Sequence, residues 1–316
     1  MTLNRRRPST GGGGAVGLDA STSILLCRVE TIALSIAVPG DQFDTGDVDT
    51  TSRGPDTAPG KGGNRPTVSV IIPAMNEAKN LPYVAYRMPD GIDQIVFVDG
   101  NSSDDTVEVA RKLWPDATFV TQTRSGKGNA LACGFEAATG DIIVMIDADG
   151  STDPAEIPRF VEALVGGADL AKGSRFVAPG GSTDITALRS LGNKGLNGLV
   201  NLVFRTGFTD LCYGYNAFWR RHLALLELPP TSYTRPQWGD GFEIETVINV
   251  RLATSGLEIV EVGSFEGPRL HGRSNLNAYS DGMRVLRTIG QEWKHWREVR
   301  KIRKATESAD VRQLTA

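Results

Sequence analysis

The chain has 316 residues, 40% of them hydrophobic and 22% charged, with a formal net charge of −3, which is ordinary globular composition and enough for one large or two small domains. Lys and Arg gather only at the two ends, which excludes a groove tracking a nucleic-acid backbone, and no run of about 18 apolar residues offers a spanning helix. The cysteines, Cys27, Cys133 and Cys212, form no CxxC pair, which argues against a disulfide framework or a zinc site and fits a reducing cytosol.

Residues 1–65 are rich in Gly, Thr, Asp and Pro, and the composition predicts a largely disordered extension. Its apolar island, SILLCRVETIALSIAV at 23–38, is broken by Arg28 and Glu30 and does not read as a signal peptide. From Thr67 the texture changes to strands alternating with helical patterns, the signature of a mostly parallel α/β sheet with helices on both faces over 66–277. Val68–Ile72 is the first strand, and PAMNEAKNL reads as a turn into a helix through Asn76. Gln94–Val98 is the second strand, ending at Asp99, and Asp104 and Asp105 start a helix running to Trp114. Ala117–Val120 is a third strand. Gly126, Lys127 and Gly128 open a helix over 129–138.

The fourth strand is the most informative. Ile142–Ile146 is apolar without a turn former, and Asp147, Ala148 and Asp149 follow at its carboxyl end. Ligands of open α/β sheets bind beyond the carboxyl ends of the strands, so these acids are expected at the mouth of a site, shared by a hard divalent cation and diphosphate oxygens. Asp99, at the end of the second strand, is placed to accept hydrogen bonds from a nucleoside. Lys127 lies between two glycines, but the full phosphate-loop pattern is absent. No Gly-rich, cation-bearing loop follows the first strand, which weakens a nucleotidyltransferase reading.

A helix to Val165 then leads to the strand 169–172 and to Gly173, Ser174 and Arg175. The segment 177–185 reads as a mobile loop, 188–204 as a helix, 211–219 as an aromatic strand and 229–238 as a Pro-rich bridge. A helix over 240–254 and a strand over 257–262 complete the sheet. A loop carrying Arg269, His271 and Arg273 leads to a long basic helix, 278–303.

VSVIIPAMNEAKN, the acid of IVFVDGNSSDDT, GKGNAL, IDADGSTDP and GSRF stand in one order over 67–289, and together they resemble a glycosyltransferase of family 2, in the branch of the dolichyl-phosphate mannose synthases. The resemblance implies a GT-A fold and an inverting transfer from a nucleotide-diphosphate sugar with Mg²⁺ or Mn²⁺. Asp99 would then bind the nucleoside, Asp147 and Asp149 would hold ribose and metal, and Pro73, Asn76 and Glu77 would line the base pocket. A leaving nucleoside diphosphate develops negative charge, for which Arg175, Arg189, Arg269 and Arg273 are the available cations, while Lys127 would point into the nucleotide pocket. PRLHGRSNL, with Arg269, Gly272 and Ser274, resembles the loop that closes over the phosphates. An acceptor hydroxyl would need a carboxylate base, expected at Asp240, with Glu243 and Glu245 in the same segment. Asp210 and Tyr213 are candidates for an acceptor-side wall.

The expected activity is transfer of a hexose from a UDP or GDP sugar to a polyprenyl phosphate or another membrane-associated acceptor. The alternatives are a soluble transferase with a small or saccharide acceptor, and a nucleotide-sugar binding protein without catalysis. In the tail, 278–316, Leu286, Ile289, Trp293, Trp296 and Val299 recur at helical spacing among Arg and Lys residues. That pattern predicts a helix lying on the inner, cytoplasmic face of a membrane.

Overall fold

A computed structural model of the chain describes residues 65–183, 185–272 and 278–314. The extension expected over 1–65 therefore lies outside the described residues, apart from Arg65. Of the two compact units into which the chain divides, Gly54–Lys301 carries the sheet and the sites described below.

Strands β1 (Val68–Ala74), β2 (Gln94–Asp99), β3 (Thr118–Thr121), β4 (Ile142–Met145), β5 (Leu170–Ser174), β7 (Asn216–Trp219) and β8 (Ile259–Gly263) form one sheet in the order β3-β2-β1-β4-β7-β5-β8. All neighbours run parallel except β7, which is antiparallel to both β4 and β5. The strands are apolar because both faces are covered. Along β1, Val70 and Ile72 point to one helical layer and Ile71 to the other, as a period of two requires. Helices α1 (Leu81–Arg87), α2 (Thr106–Leu113) and α4 (Ile157–Val165) cover the first face, where Phe160 stacks on Tyr215 with centroids 4.2 Å apart. Helices α3 (Lys127–Ala137) and α6 (Ile244–Thr254) cover the second, burying Leu131, Ile244 and Ile248 against Ile143 and Phe218.

The third cluster joins α5 (Ala187–Phe204), α6 and α7 (Ala278–Leu314) through Val200, Phe204, Val250, Val285 and Ile289. This divides the stripe expected on the last helix. Ile289 and Trp296 turn inward with Val285, whereas Leu286 and Trp293 face solvent. A buried ion pair, Arg251 to Glu292 at 2.8 Å, fastens α7 to α6.

Several boundaries differ from the sequence reading for local reasons. The helix expected through Asn76 begins only at Leu81, because Asn76 takes φ +60°, a left-handed conformation that cannot continue a helix. The helix expected from Asp240 begins at Ile244. The segment 177–185 contains strand β6 (Gly181–Ser182), paired with β9 (Phe265–Glu266). Of the aromatic run 211–219, only Asn216–Trp219 is strand; Tyr213 precedes it and packs beneath Arg175, 5.0 Å from guanidinium carbon to ring centroid.

Candidate active site

The carboxyl ends of β1, β2 and β4 open onto a cavity of about 550 Å³, closed on its other sides by α5, α6 and the start of α7. Asp147, Ala148, Asp149 and Ser151 form one wall. The loop is fixed by its own polar groups: the Asp147 amide donates to Thr152 Oγ1 at 3.1 Å, and the Ser151 amide donates to Asp149 Oδ1 at 3.0 Å. Gly150 follows with φ +78°, and a β-carbon there would stand 2.8 Å from the Leu270 side chain, so only glycine suits the position.

Both acids carry resident cations. Lys127 Nζ lies 2.6 Å from Asp147 Oδ1 and 2.7 Å from Glu245 Oε1. Burial works against the charge of Lys127, but the two carboxylates outweigh it and raise its pKa, so the ammonium stays protonated. Arg269 Nη1 lies 3.0 Å from Asp149 Oδ2, and its Nη2 pairs with Glu77. Burial raises the Glu77 pKa, opposed by its contacts with Asn80 and Arg269. The Leu270 amide donates to the Asp149 carbonyl, which seats the Arg269 loop over the acid pair.

Across the cavity, Arg175 pairs with Asp210 at 2.7 Å and with Glu266 at 3.0 Å. Asp210 is fully buried and also accepts from Asn193 Nδ2 at 2.8 Å, so it supports Arg175 from behind and is not among the residues lining the cavity. Arg189, Asn193 and Leu196 of α5 line the same side, with Tyr213, Glu245, Tyr279 and Val285.

The expected residues divide accordingly. Pro73, Glu77, Lys127, Asp147, Asp149, Arg175, Arg189 and Arg269 all line the cavity. Asn76, Asp99 and Asp240 are not among its lining residues, and Arg273 lies outside the described residues. Asn76 Oδ1 accepts from the Ser103 amide at 2.8 Å, and Asp99 Oδ1 accepts from the Ser102 amide at 3.1 Å; both shape the loop behind Gly100, which does line the cavity. Asp240, where the base is expected, is held in an ion pair. Its carboxylate binds the buried Arg124 guanidinium at 2.9 Å and the Gln237 amide at 2.7 Å, and its carbonyl accepts from Gly128 at the start of α3. From the same segment, the acid that faces the cavity is Glu245.

Gln122 and Glu266 were missed. Gln122 directly follows β3, which ends at Thr121, so the strand-end rule points to it; Glu266 sits in a two-residue strand that no local pattern announces.

Among the described residues, six carboxylates and four cations line the cavity, leaving an excess of negative charge. No group of three or more His, Cys, Asp or Glu side chains is arranged there to hold a metal by itself. Asp147 and Asp149 nevertheless fit a hard divalent ion, because they offer only oxygen donors and leave most of the coordination to a diphosphate and water.

Residues 69–225 match the model of glycosyl transferase family 2. The chain is 34% identical over 210 residues to an uncharacterized glycosyltransferase of Mycobacterium tuberculosis, covering 66% of this chain and 89% of the relative. It is 33% identical over 218 residues to a dolichol-phosphate mannosyltransferase of Pyrococcus furiosus, covering 66% of this chain and 59% of that protein. Identity is also 33%, over 211 residues, to a polyprenol monophosphomannose synthase of Mycolicibacterium smegmatis, covering 63% and 77%. Among solved structures, glucosyl-3-phosphoglycerate synthase from Mycobacterium tuberculosis in complex with Mn²⁺, UDP and glucosyl-3-phosphoglycerate superimposes with a TM-score of 0.53 at 26% identity, covering 72% of this chain and 80% of that one. The same enzyme with phosphoglyceric acid gives a TM-score of 0.57 at 24% identity, covering 72% and 80%.

Proposed function

Because the chain belongs to glycosyltransferase family 2 and has the GT-A fold, we propose that its cavity transfers a hexose, with inversion, from a UDP or GDP sugar to an acceptor that carries a phosphate. The observation that carries this reading is the acid pair Asp147 and Asp149 at the end of β4, each already holding a cation, inside a cavity whose carboxylates outnumber its cations.

Asp149, with Asp147 beside it, would hold Mg²⁺ or Mn²⁺; such an ion neutralises charge on a leaving diphosphate. The chain's own groups do the rest. Arg269 puts fixed positive charge beside the acid pair, where a departing nucleoside diphosphate becomes more negative. Pro73, Glu77, Gly100 and Gln122 form the wall at the ends of β1, β2 and β3, the side on which a nucleoside would lie. An acceptor phosphate is already anionic near neutral pH and needs no strong base, which agrees with an Asp240 committed to Arg124.

The acceptor class rests on a common feature of the relatives. Two are named for dolichol phosphate or polyprenol monophosphomannose, and the structural neighbour was solved with glucosyl-3-phosphoglycerate, so all three concern phosphorylated molecules. For a lipid phosphate, the supporting observation is the outer face of α7, where Tyr279, Met283, Leu286 and Trp293 are exposed beside exposed Arg287, Lys294, Arg297 and Arg300. Tyr279 also lines the cavity, so this face adjoins it. A peripheral position on the inner face of a membrane follows from that reading. No helix among the described residues is long and apolar enough to cross a membrane. The neighbour's complex with glucosyl-3-phosphoglycerate favours the second reading, a small phosphorylated acceptor.

The test is a panel of UDP and GDP hexoses with Mn²⁺, read by thermal shift and then by turnover onto polyprenyl phosphate in vesicles or onto 3-phosphoglycerate. The reading expects one donor family to stabilise the fold and turnover to vanish with a chelator. Absence of any donor response would overturn it, and the acceptor arm chooses between lipid and small molecule.

A further inference from the structure

Lys127 is built in more firmly than an ordinary ion pair requires. It is the first residue of α3, its side chain is 13% exposed, and one ammonium is shared by acids from two elements, Asp147 after β4 and Glu245 in α6. Three glycines make room for this arrangement. A β-carbon on Gly126 would stand 2.1 Å from the Asp240 carbonyl oxygen, and one on Gly128 would stand 1.7 Å from that of Gly239, so the start of α3 presses against the 239–241 segment backbone to backbone. A β-carbon on Gly214 would stand 2.4 Å from Glu245 Oε1 and 2.9 Å from Lys127 Nζ. The segment is held in turn by the Asp240 carboxylate on the buried Arg124.

Two carboxylates that face each other through one ammonium repel when it is removed, and the side chain with more freedom swings away. Glu245 is only 8% exposed and lies within α6, whereas Asp147 stands at the end of a strand and is 33% exposed, so Asp147 is the one that moves.

We propose that Lys127 is a positioning residue: it holds Asp147 in the orientation that meets the donor nucleotide by neutralising Glu245 behind it. This rests on the reading of Asp147 as a donor contact. Lys127 thereby links the donor wall to α6 without itself belonging to a phosphate loop, which explains why GKG occurs here without the rest of that motif.

Isothermal calorimetry of the full chain with UDP and GDP, in Mn²⁺, tests the proposal. Lys127→Met is expected to weaken whichever nucleotide the wild type binds by about tenfold or more. Adding Glu245→Gln to Lys127→Met removes the repulsion and is expected to restore most of the lost affinity, a recovery that a purely packing role for the lysine does not give. Gly214→Ala, which crowds the ammonium and Glu245 while leaving every charged residue in place, is expected to weaken binding in the same direction; it serves as the second probe if Lys127→Met fails to fold. Equal nucleotide affinity in Lys127→Met and wild type, or no recovery in the double variant, overturns the proposal. A wild type that binds neither nucleotide, or an Asp147→Asn variant that binds as the wild type does, instead defeats the donor reading on which it rests.

Discussion

Arg269 places its Nη1 3.0 Å from Oδ2 of Asp149, so a loop 120 residues further along the chain sits directly on the acid pair after β4. The guanidinium occupies the carboxylate that the proposed function gives to a divalent cation, and Glu77 holds the same guanidinium from the other side. On the proposed function, a metal-bound donor would replace Arg269 on Asp149.

Asp149→Asn keeps the shape of the side chain and loses the charge that holds a hard cation. Transfer is expected to fall by about a hundredfold or more, with a thermal midpoint close to that of the wild type. Turnover measured against Mn²⁺ concentration checks this; a variant that keeps full, chelator-sensitive activity removes Asp149 from the metal site.

Arg269→Ala takes away a positive charge needed most as the diphosphate leaves. Its kcat is expected to drop by roughly a hundredfold, with a smaller change in donor KM. Steady-state kinetics separates the cases, since a change confined to KM makes Arg269 a contact of the bound donor only.

The Arg175–Asp210–Glu266 cluster concerns stability. Asp210 is fully buried, and removing its charge leaves Arg175 short of a partner, so Asp210→Asn is expected to cost about 3–5 kcal/mol in urea unfolding. Burial pushes the Asp210 carboxyl up, but Arg175 and Lys172 outweigh it, and its pKa lies below the ordinary value. A carboxylate depressed in the folded state stabilises above its unfolded pKa, near 3.9, and that contribution is lost as pH falls through the folded value. The wild type is therefore expected to lose stability below about pH 4, and Asp210→Asn to show a flatter profile in that range.

Replacing Met283, Leu286 and Trp293 together by Ser leaves Val285, Ile289 and the Arg251–Glu292 pair in place. Binding to anionic vesicles is expected to weaken about tenfold or more, while metal-dependent donor hydrolysis in solution continues. Unchanged vesicle sedimentation places the small phosphorylated acceptor ahead of the lipid one.

The donor wall was legible because its signals are local. Ile142–Met145 is apolar enough to be a buried strand, and the acids directly after it could only stand at its end. Arg124 and Asp240 show where that logic stops: 116 residues separate the partners, and nothing near Asp240 reveals that a buried guanidinium holds it. Glu245 stood only as a further acid in the Asp240 segment for the same reason, since its ammonium comes from another element. The last helix was recognised by its period, yet the period could not say which apolar side chains meet α5 and α6. Val285 and Ile289 went in while Leu286 and Trp293 stayed out because the partner helices have their own shape.

The antiparallel β7, set between β4 and β5, also governs the order of assembly. Strands β1 to β4 are all in the chain by Met145, with β4 returning past β3 and β2 to pair with β1, but the outer edge of β4 receives its partner only when Asn216–Trp219 arrives. Until then the Ile-Ile-Val-Met edge is unpaired, the kind of surface that nascent chains join to one another. Slow, non-local pairing is therefore the step that both completes the second half of the cavity and hides a sticky edge. A fragment that stops short of Asn216 would carry the acid pair after β4 without Glu245 or Arg269, and it is expected to aggregate along that edge.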